Sequence, residues 1–125
     1  MDKAKILKVV LFLFGLVFIF GVYPLTIVWP SGWAWGGGMH SHYLPMILGV
    51  YATLGVFLIL ASRDPGQHRS LIAFTAWSSL VHGAIMGYQA MTDGAERGHL
   101  YGDVPVLIVV FIVLLVLAPP RAATR

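Results

Sequence analysis

One histidine lies in the middle of a long uncharged segment. His82 is about midway along residues 70–92, which lie between Arg69 and Asp93. An ionisable group at such a depth in an apolar stretch is costly and usually functional. We expect an axial ligand for a tetrapyrrole, a member of a proton relay or a ligand in a buried pocket. The alternative is a neutral imidazole that holds helices together through a hydrogen bond.

Three polar residues are placed to surround His82. Ser78 and Gln89 lie four residues before it and seven residues after it, offsets that share one helical face. Tyr51, in another uncharged segment, is expected at a similar depth. The sequence therefore predicts that His82, Tyr51, Ser78 and Gln89 form a site for a haem-like pigment or a small apolar molecule. A haem held by two histidines of one subunit is excluded, because the uncharged segments contain no second histidine.

A second group of histidines and acids lies in two connecting segments. Imidazole with carboxylate suits zinc, copper, nickel or iron, and the spacing Glu-x-x-His at Glu96 matches part of a di-iron motif. That spacing occurs once, without companion glutamates. The sequence predicts a metal site here, and the alternative is a solvated rim of helix caps and local ion pairs. The candidate ligands are His40, His42, Glu96, His99 and Asp103.

The composition determines the class of protein that carries these groups. Of the 125 residues, 58% are hydrophobic and only 10% are charged, whereas soluble domains carry about 25% charged residues. So few charges cannot cover a water-facing surface, and we expect one integral membrane domain. The basic residues lie at the ends of uncharged segments, which excludes a nucleic-acid-binding patch. With no cysteine, disulfides and thiolate metal sites are excluded.

Four uncharged segments are long enough, or nearly so, to cross about 30 Å of hydrocarbon. They are residues 9–29, 43–62, 70–92 and 104–120. The sequence therefore predicts an all-α, four-helix membrane bundle. With the N-terminus inside, only Arg97 of the eight basic residues lies outside, a strong positive-inside bias that places both termini in the cytoplasm. The seven inner residues are Lys3, Lys5, Lys8, Arg63, Arg69, Arg121 and Arg125.

Local signals refine these helices. Pro24 leaves the Phe20 carbonyl without its usual donor and predicts a kink, and Asp103 is a suitable N-cap for the fourth helix. Trp29, Trp33 and Trp35 are typical of an interfacial aromatic belt. Small residues line one face of the third helix and permit close packing by another helix of this chain or by a second subunit. This stripe consists of Ala73, Ala76, Ser79, Gly83, Gly87 and Ala90.

Several stretches resemble a known family. The most specific are Trp-Ser-Ser-Leu-Val-His at residues 77–82 and Gly-His-Leu-Tyr-Gly-Asp at residues 98–103. They are similar to those of small bacterial inner-membrane proteins of unknown function. The resemblance implies a bacterial source, the inner membrane and four spans, and it brings no activity.

Two functional hypotheses follow. The first is a non-catalytic subunit or accessory of a larger membrane complex, or a homo-oligomer, that packs through the third helix. The second is a carrier or binding protein with a site between His82 and the rim of histidines and acids, for a metal, a haem-like pigment or a small apolar ligand. The spans contain no Asp, Glu, Lys or Arg, which argues against a proton-coupled antiporter. An enzyme is the least supported hypothesis.

Overall fold

The computed structural model describes residues 2–36 and 38–120, which are helical with short connections and contain no strand. The predicted inner residues Arg121 and Arg125 lie outside the described residues. The α-helices are α1 (Lys3–Leu16), α2 (Val22–Val28), α3 (Pro30–Trp33), α4 (Tyr43–Arg63), α5 (Arg69–Thr92) and α6 (Asp103–Leu117). Short 3₁₀ helices span Gly38–His40, Pro65–His68 and Gly94–Tyr101.

The predicted membrane spans correspond to the long helices. Three helical stretches are long and apolar enough to cross a membrane, namely Lys3–Val28, Tyr43–Arg63 and Pro65–Thr92. The fourth reaches the necessary length only if Gly94–Tyr101 and Asp103–Leu117, which are bent by 42°, count as one span. The structure thus confirms an all-helical chain with three to four candidate spans among the described residues.

The helical hydrogen bonds of the first span change their pattern in the turn before Pro24. Residues Val17–Gly21 form a π-helical turn that joins α1 to α2, and the Val22 amide donates to the Val17 carbonyl. Because proline has no N–H to offer, the regular pattern of hydrogen bonds cannot continue through this region. The wider turn keeps α1 and α2 in one helical stretch of 26 residues.

The helices pack as two closely joined pairs. The α1 helix packs against α4 through Gly15 and Gly55, where a Cβ on either glycine would lie 2.6 Å from the other residue's carbonyl oxygen. The α5 helix packs against α6 along the predicted small-residue stripe. A Cβ on Gly83 would contact Leu107 and Ile108. The sequence left two uses of this stripe open, and in the structure a helix of the same chain covers it.

Most of the fully buried apolar side chains lie in the half of the bundle that contains the chain's first residues. They join the start of α1, the end of α4, the start of α5 and the end of α6, and the cluster includes Leu7, Leu11, Leu58, Ile72 and Leu114. Over their whole length, α4 and α5 contact each other at only a few positions. The space between the two pairs is filled by this cluster at one end and is open toward the other, where the residues from His82 to Glu96 line a cleft.

The close approach of α1 to α4 can be tested with a single methyl group. Gly15→Ala is expected to lower the free energy of unfolding by about 1–3 kcal/mol, because the new Cβ meets Gly55 and Ile59. The matched control is Gly49→Ala in α4, where a Cβ meets nothing within 4 Å and the higher helix propensity of alanine contributes up to about 1 kcal/mol. Thermal unfolding in detergent, followed by circular dichroism, measures both. Equal stability of the two variants would contradict the packing.

Candidate functional site

A cleft of about 720 Å³ separates α4 from α5. It extends from His82 toward residues 35–36, 41–43 and 92–96. Its walls are mainly apolar and include Leu44, Ile47 and Val50 of α4, with Ile85 and Met86 of α5. Polar groups occur at its two ends, with His82 in the middle of the bundle and Gln89, Thr92, Asp93 and Glu96 near the connections. The cleft is thus an apolar space that ends on a single imidazole.

Tyr51 fixes the position of that imidazole. Its hydroxyl oxygen lies 2.6 Å from Nδ1 of His82, and the two rings are stacked with centroids 5.7 Å apart. The Tyr51 ring also packs edge-on against Phe18 of the π-helical turn, at a centroid distance of 5.2 Å. Three helical elements therefore hold one hydrogen-bonded pair at the expected depth.

The hydrogen bond leaves one nitrogen of His82 without a protein partner. Nδ1 shares its hydrogen bond with the Tyr51 hydroxyl, and the tautomer of the ring determines which of the two donates. The Nε2 atom has no partner in the described part of the chain and is not completely buried. It is thus available to a molecule in the cleft, as a donor when it carries the ring proton and as an acceptor when Nδ1 carries it.

The other two residues predicted beside His82 have different positions. Gln89 is exposed and lines the cleft. Ser78 instead donates to the Thr75 carbonyl of its own helix at 3.4 Å and does not line the cleft. The structure thus brings His82, Tyr51 and Gln89 to one region and leaves Ser78 outside it.

Two connecting segments form a second cluster, which we call the loop cap (residues 30–36 and 94–102). Its parts pack backbone to backbone, because a Cβ on Gly98 would clash with the Ser31 backbone and one on Gly102 would clash with the Gly32 carbonyl. These contacts bring the first connection beside the start of α6. Glycine at both positions is required by this close approach.

His99 is the centre of the loop cap and is only 1% exposed. Its Nδ1 lies 3.0 Å from Oδ1 of Asp103, while its Nε2 lies 3.2 Å from the Ala34 carbonyl oxygen and 3.1 Å from Oε2 of Glu96. The Trp35 ring stacks on the imidazole with centroids 3.9 Å apart. Its indole N–H donates to Oδ2 of Asp103 at 2.7 Å. The polar side-chain groups of Trp35, His99 and Asp103 therefore all have partners.

The His99 ring lies between two carboxyl groups. Asp103 is beside Nδ1 and Glu96 is beside Nε2. A buried polar cluster of this kind is stable only while every member keeps its partner.

The predicted metal ligands divide into two sets. Glu96 and His99 of the loop cap come together with Asp103 at the start of α6, whereas His40 and His42 are exposed and are not part of this cluster. In residues 2–36 and 38–120, no group of three or more His, Cys, Asp or Glu side chains has a geometry that could hold a metal ion. Both nitrogens of His99 are engaged by protein acceptors. The metal site stays a prediction that this arrangement does not support.

Two roles differ from those read from the sequence. Asp103 is not the N-cap of α6, since Gly102 occupies that position and Asp103 is the first helical residue. Its carboxylate binds Trp35 and His99 instead. Trp35, predicted only as an interfacial aromatic residue, is a structural partner of Asp103 from 68 residues away. The available signal is that a buried indole N–H usually needs an acceptor.

A family model matches residues 2–125 and is described as a family of unknown function (DUF6632). The chain belongs to this family. Nothing among the curated proteins or the solved structures matches the chain. The membership agrees with the predicted resemblance to an uncharacterised family, and it assigns no activity to the cleft.

Proposed function

We propose that this protein binds a small, neutral, largely apolar molecule in the cleft between α4 and α5. The observation that carries the proposal is the apolar cleft that ends on the free Nε2 atom of His82, which we assign as an N–H with the Tyr51 hydroxyl donating to Nδ1. Its volume of about 720 Å³ lies in the range of roughly 300–1,000 Å³ found for small-molecule sites. A few well-placed polar groups in such a site orient the ligand.

The polar groups at the cleft indicate the class of ligand. The Nε2–H of His82 needs a hydrogen-bond acceptor, such as a carbonyl or ether oxygen. The side chains of Asp93 and Glu96 near the connections disfavour an anionic group by charge repulsion. A tetrapyrrole iron is a poorer match, because it would need the lone pair of Nε2 and a different acceptor for the Tyr51 proton. A neutral carbonyl compound fits best.

The proposed location is the bacterial inner membrane, crossed four times, with both termini in the cytoplasm. It is supported by the helices long and apolar enough to span a bilayer and by the family resemblance. The basic residues of the first helix and of the α4–α5 connection lie at the end opposite the loop cap. Met46, Val50 and Ile85 on the cleft walls are exposed, so an apolar molecule can enter sideways from the bilayer.

The hypothesis of a subunit that docks through the third helix has less support. The small-residue stripe of α5 that suggested it is covered by α6, with Gly83 against Leu107 and Gly87 near Val104. The chain therefore uses this surface for its own packing. We accordingly favour ligand binding.

Mass spectrometry of molecules that co-purify with the protein tests the proposal. We expect wild-type protein to retain a neutral carbonyl compound, and His82→Leu to retain about tenfold less, because a neutral hydrogen bond lost at a buried site costs about 1–3 kcal/mol. Ser78→Ala is the matched control, since Ser78 lies on the same helix and outside the cleft. The same molecules in the same amounts in wild type and His82→Leu would contradict the proposal.

A further inference from the structure

A smaller inner cavity of about 80 Å³ lies beside the cleft. It lies between the α1–α2 stretch, α4, α5 and α6, and its wall includes Phe18, Leu48, Val106 and Leu107. Helices therefore surround it on several sides, whereas the cleft is open between α4 and α5. Neither the packed core nor the loop cap fills this space.

The inner cavity and the cleft have a common wall. His82 and Met86 of α5 line both spaces, as do two residues of α4 and one of the loop cap. Met86 is the most flexible of them, and an unbranched thioether side chain readily changes its conformation. We expect a rotation of this side chain to join the two spaces. The shared residues are Trp35, Leu44, Ile47, His82 and Met86.

The inner cavity suits an apolar group better than water. A buried water makes about three hydrogen bonds, and purely apolar cavities stay dry. The polar groups on this wall are already engaged, with Tyr51 bonded to His82 and Asp103 bonded to Trp35 and His99. The indole N–H of Trp33 is buried without a partner among the described residues. This N–H and Nε2 of His82 are the two free groups that the described residues place on the wall, fewer than a water molecule needs, and most of the remaining wall is apolar.

We propose that the inner cavity is a subsite for a short, unbranched alkyl arm of the molecule bound in the cleft. This inference rests on the proposed function. Because His82 lines both spaces, an acceptor bonded to its Nε2–H lies at their junction, and the groups on its two sides enter different spaces. The larger apolar group occupies the cleft and the smaller one occupies the inner cavity. The ligand class is therefore an unsymmetrical neutral ketone or a similar carbonyl compound.

A series of octyl ketones, whose second alkyl group grows from methyl to butyl, tests the subsite. Binding to the full-length protein in detergent is measured by quenching of tryptophan fluorescence, because Trp35 lines both spaces. Each methylene buried in the cavity is expected to strengthen binding by about fourfold when the dissociation constant is expressed against the ketone free in water, outside the micelles. Leu48→Phe fills the inner cavity. It should weaken the binding of the butyl ketone at least tenfold and change the affinity for the methyl ketone by less than twofold.

Two further variants separate this effect from misfolding. Leu54→Phe makes the same change on the same helix at a half-buried position outside both spaces, and it should bind all the ketones as wild type does. Val106→Ile adds one methylene to the inner wall and should weaken the butyl ketone by about fourfold if Leu48→Phe does not fold.

The outcomes distinguish the two proposals. If Leu48→Phe and Val106→Ile weaken the binding of every ketone equally, or do not weaken it, the proposed subsite is wrong. The proposal that the cleft binds a ligand is not affected by that result. Failure of every ketone to bind the wild type, or binding that His82→Leu does not change, would overturn the proposed function and this inference with it. Selective loss of the longer arms supports both.

Discussion

Replacing Asp103 with alanine is expected to lower the free energy of unfolding by about 3–5 kcal/mol, because two groups lose their partner at about 1–3 kcal/mol each and a cavity is left behind. Asp103 is only 7% exposed, and its carboxyl group is hydrogen-bonded to Trp35 and His99. Without it, the His99 ring and the Trp35 indole N–H lose their partner inside the protein. Thermal and denaturant-induced unfolding of the solubilised protein measure this effect.

Asp93→Ala is the matched control for this prediction. Asp93 is exposed and caps its own turn by accepting from the Ala95 amide at 3.0 Å, so its loss should cost only about 1 kcal/mol. Asp103→Asn should lie between the two, because an amide oxygen can still accept one of the hydrogen bonds. If the Asp103→Ala and Asp93→Ala proteins are equally stable, the hydrogen bonds of Asp103 do not hold the loop cap together.

Val50→Trp is expected to weaken the binding of an octyl ketone at least tenfold, which is equivalent to about 1.4 kcal/mol. Val50 lies on α4, lines the cleft and is 62% exposed, so an indole ring fits there without disturbing the packed core. The ring would occupy the space proposed for the octyl group. The dissociation constant should rise while the unfolding temperature stays near that of the wild type.

The control for the Val50→Trp substitution is Val56→Trp. Val56 is on the same helix and is 47% exposed, but it does not line the cleft. The same bulky substitution there should leave ketone binding within about twofold of wild type. Equal affinities of the Val50→Trp and Val56→Trp proteins would place the ligand elsewhere.

Local sequence properties carried most of the information about the helices. The uncharged segments, their lengths and their flanking charges predicted three long helices and a fourth that is short alone, because each depends on residues close in the chain. The stripe on α5 predicted a close neighbour, but not that α6 would be that neighbour. The choice depends on how the pairs assemble, which no single segment encodes.

Some features of the candidate site could likewise be predicted from local sequence, and others could not. Depth alone placed Tyr51 near His82, because both lie near the middle of long helices. The loop cap could not be predicted, since Trp35 meets Asp103 across 68 residues. The passage of Gly102 beside the Gly32 carbonyl likewise depends on backbone geometry. The inner cavity is a property of the assembled helices and has no local pattern.

The separation of the packed core from the loop cap has a mechanical consequence. The core joins the helices at one end of the bundle, the loop cap joins the connections at the other, and α4 has few contacts with α5 between them. Gly49 lies in this part of α4 with open space around it, and glycine lowers the stiffness of a helix. If the cleft binds ligands as proposed, we expect α4 to bow in this region for ligands of different width, while the packed core stays folded.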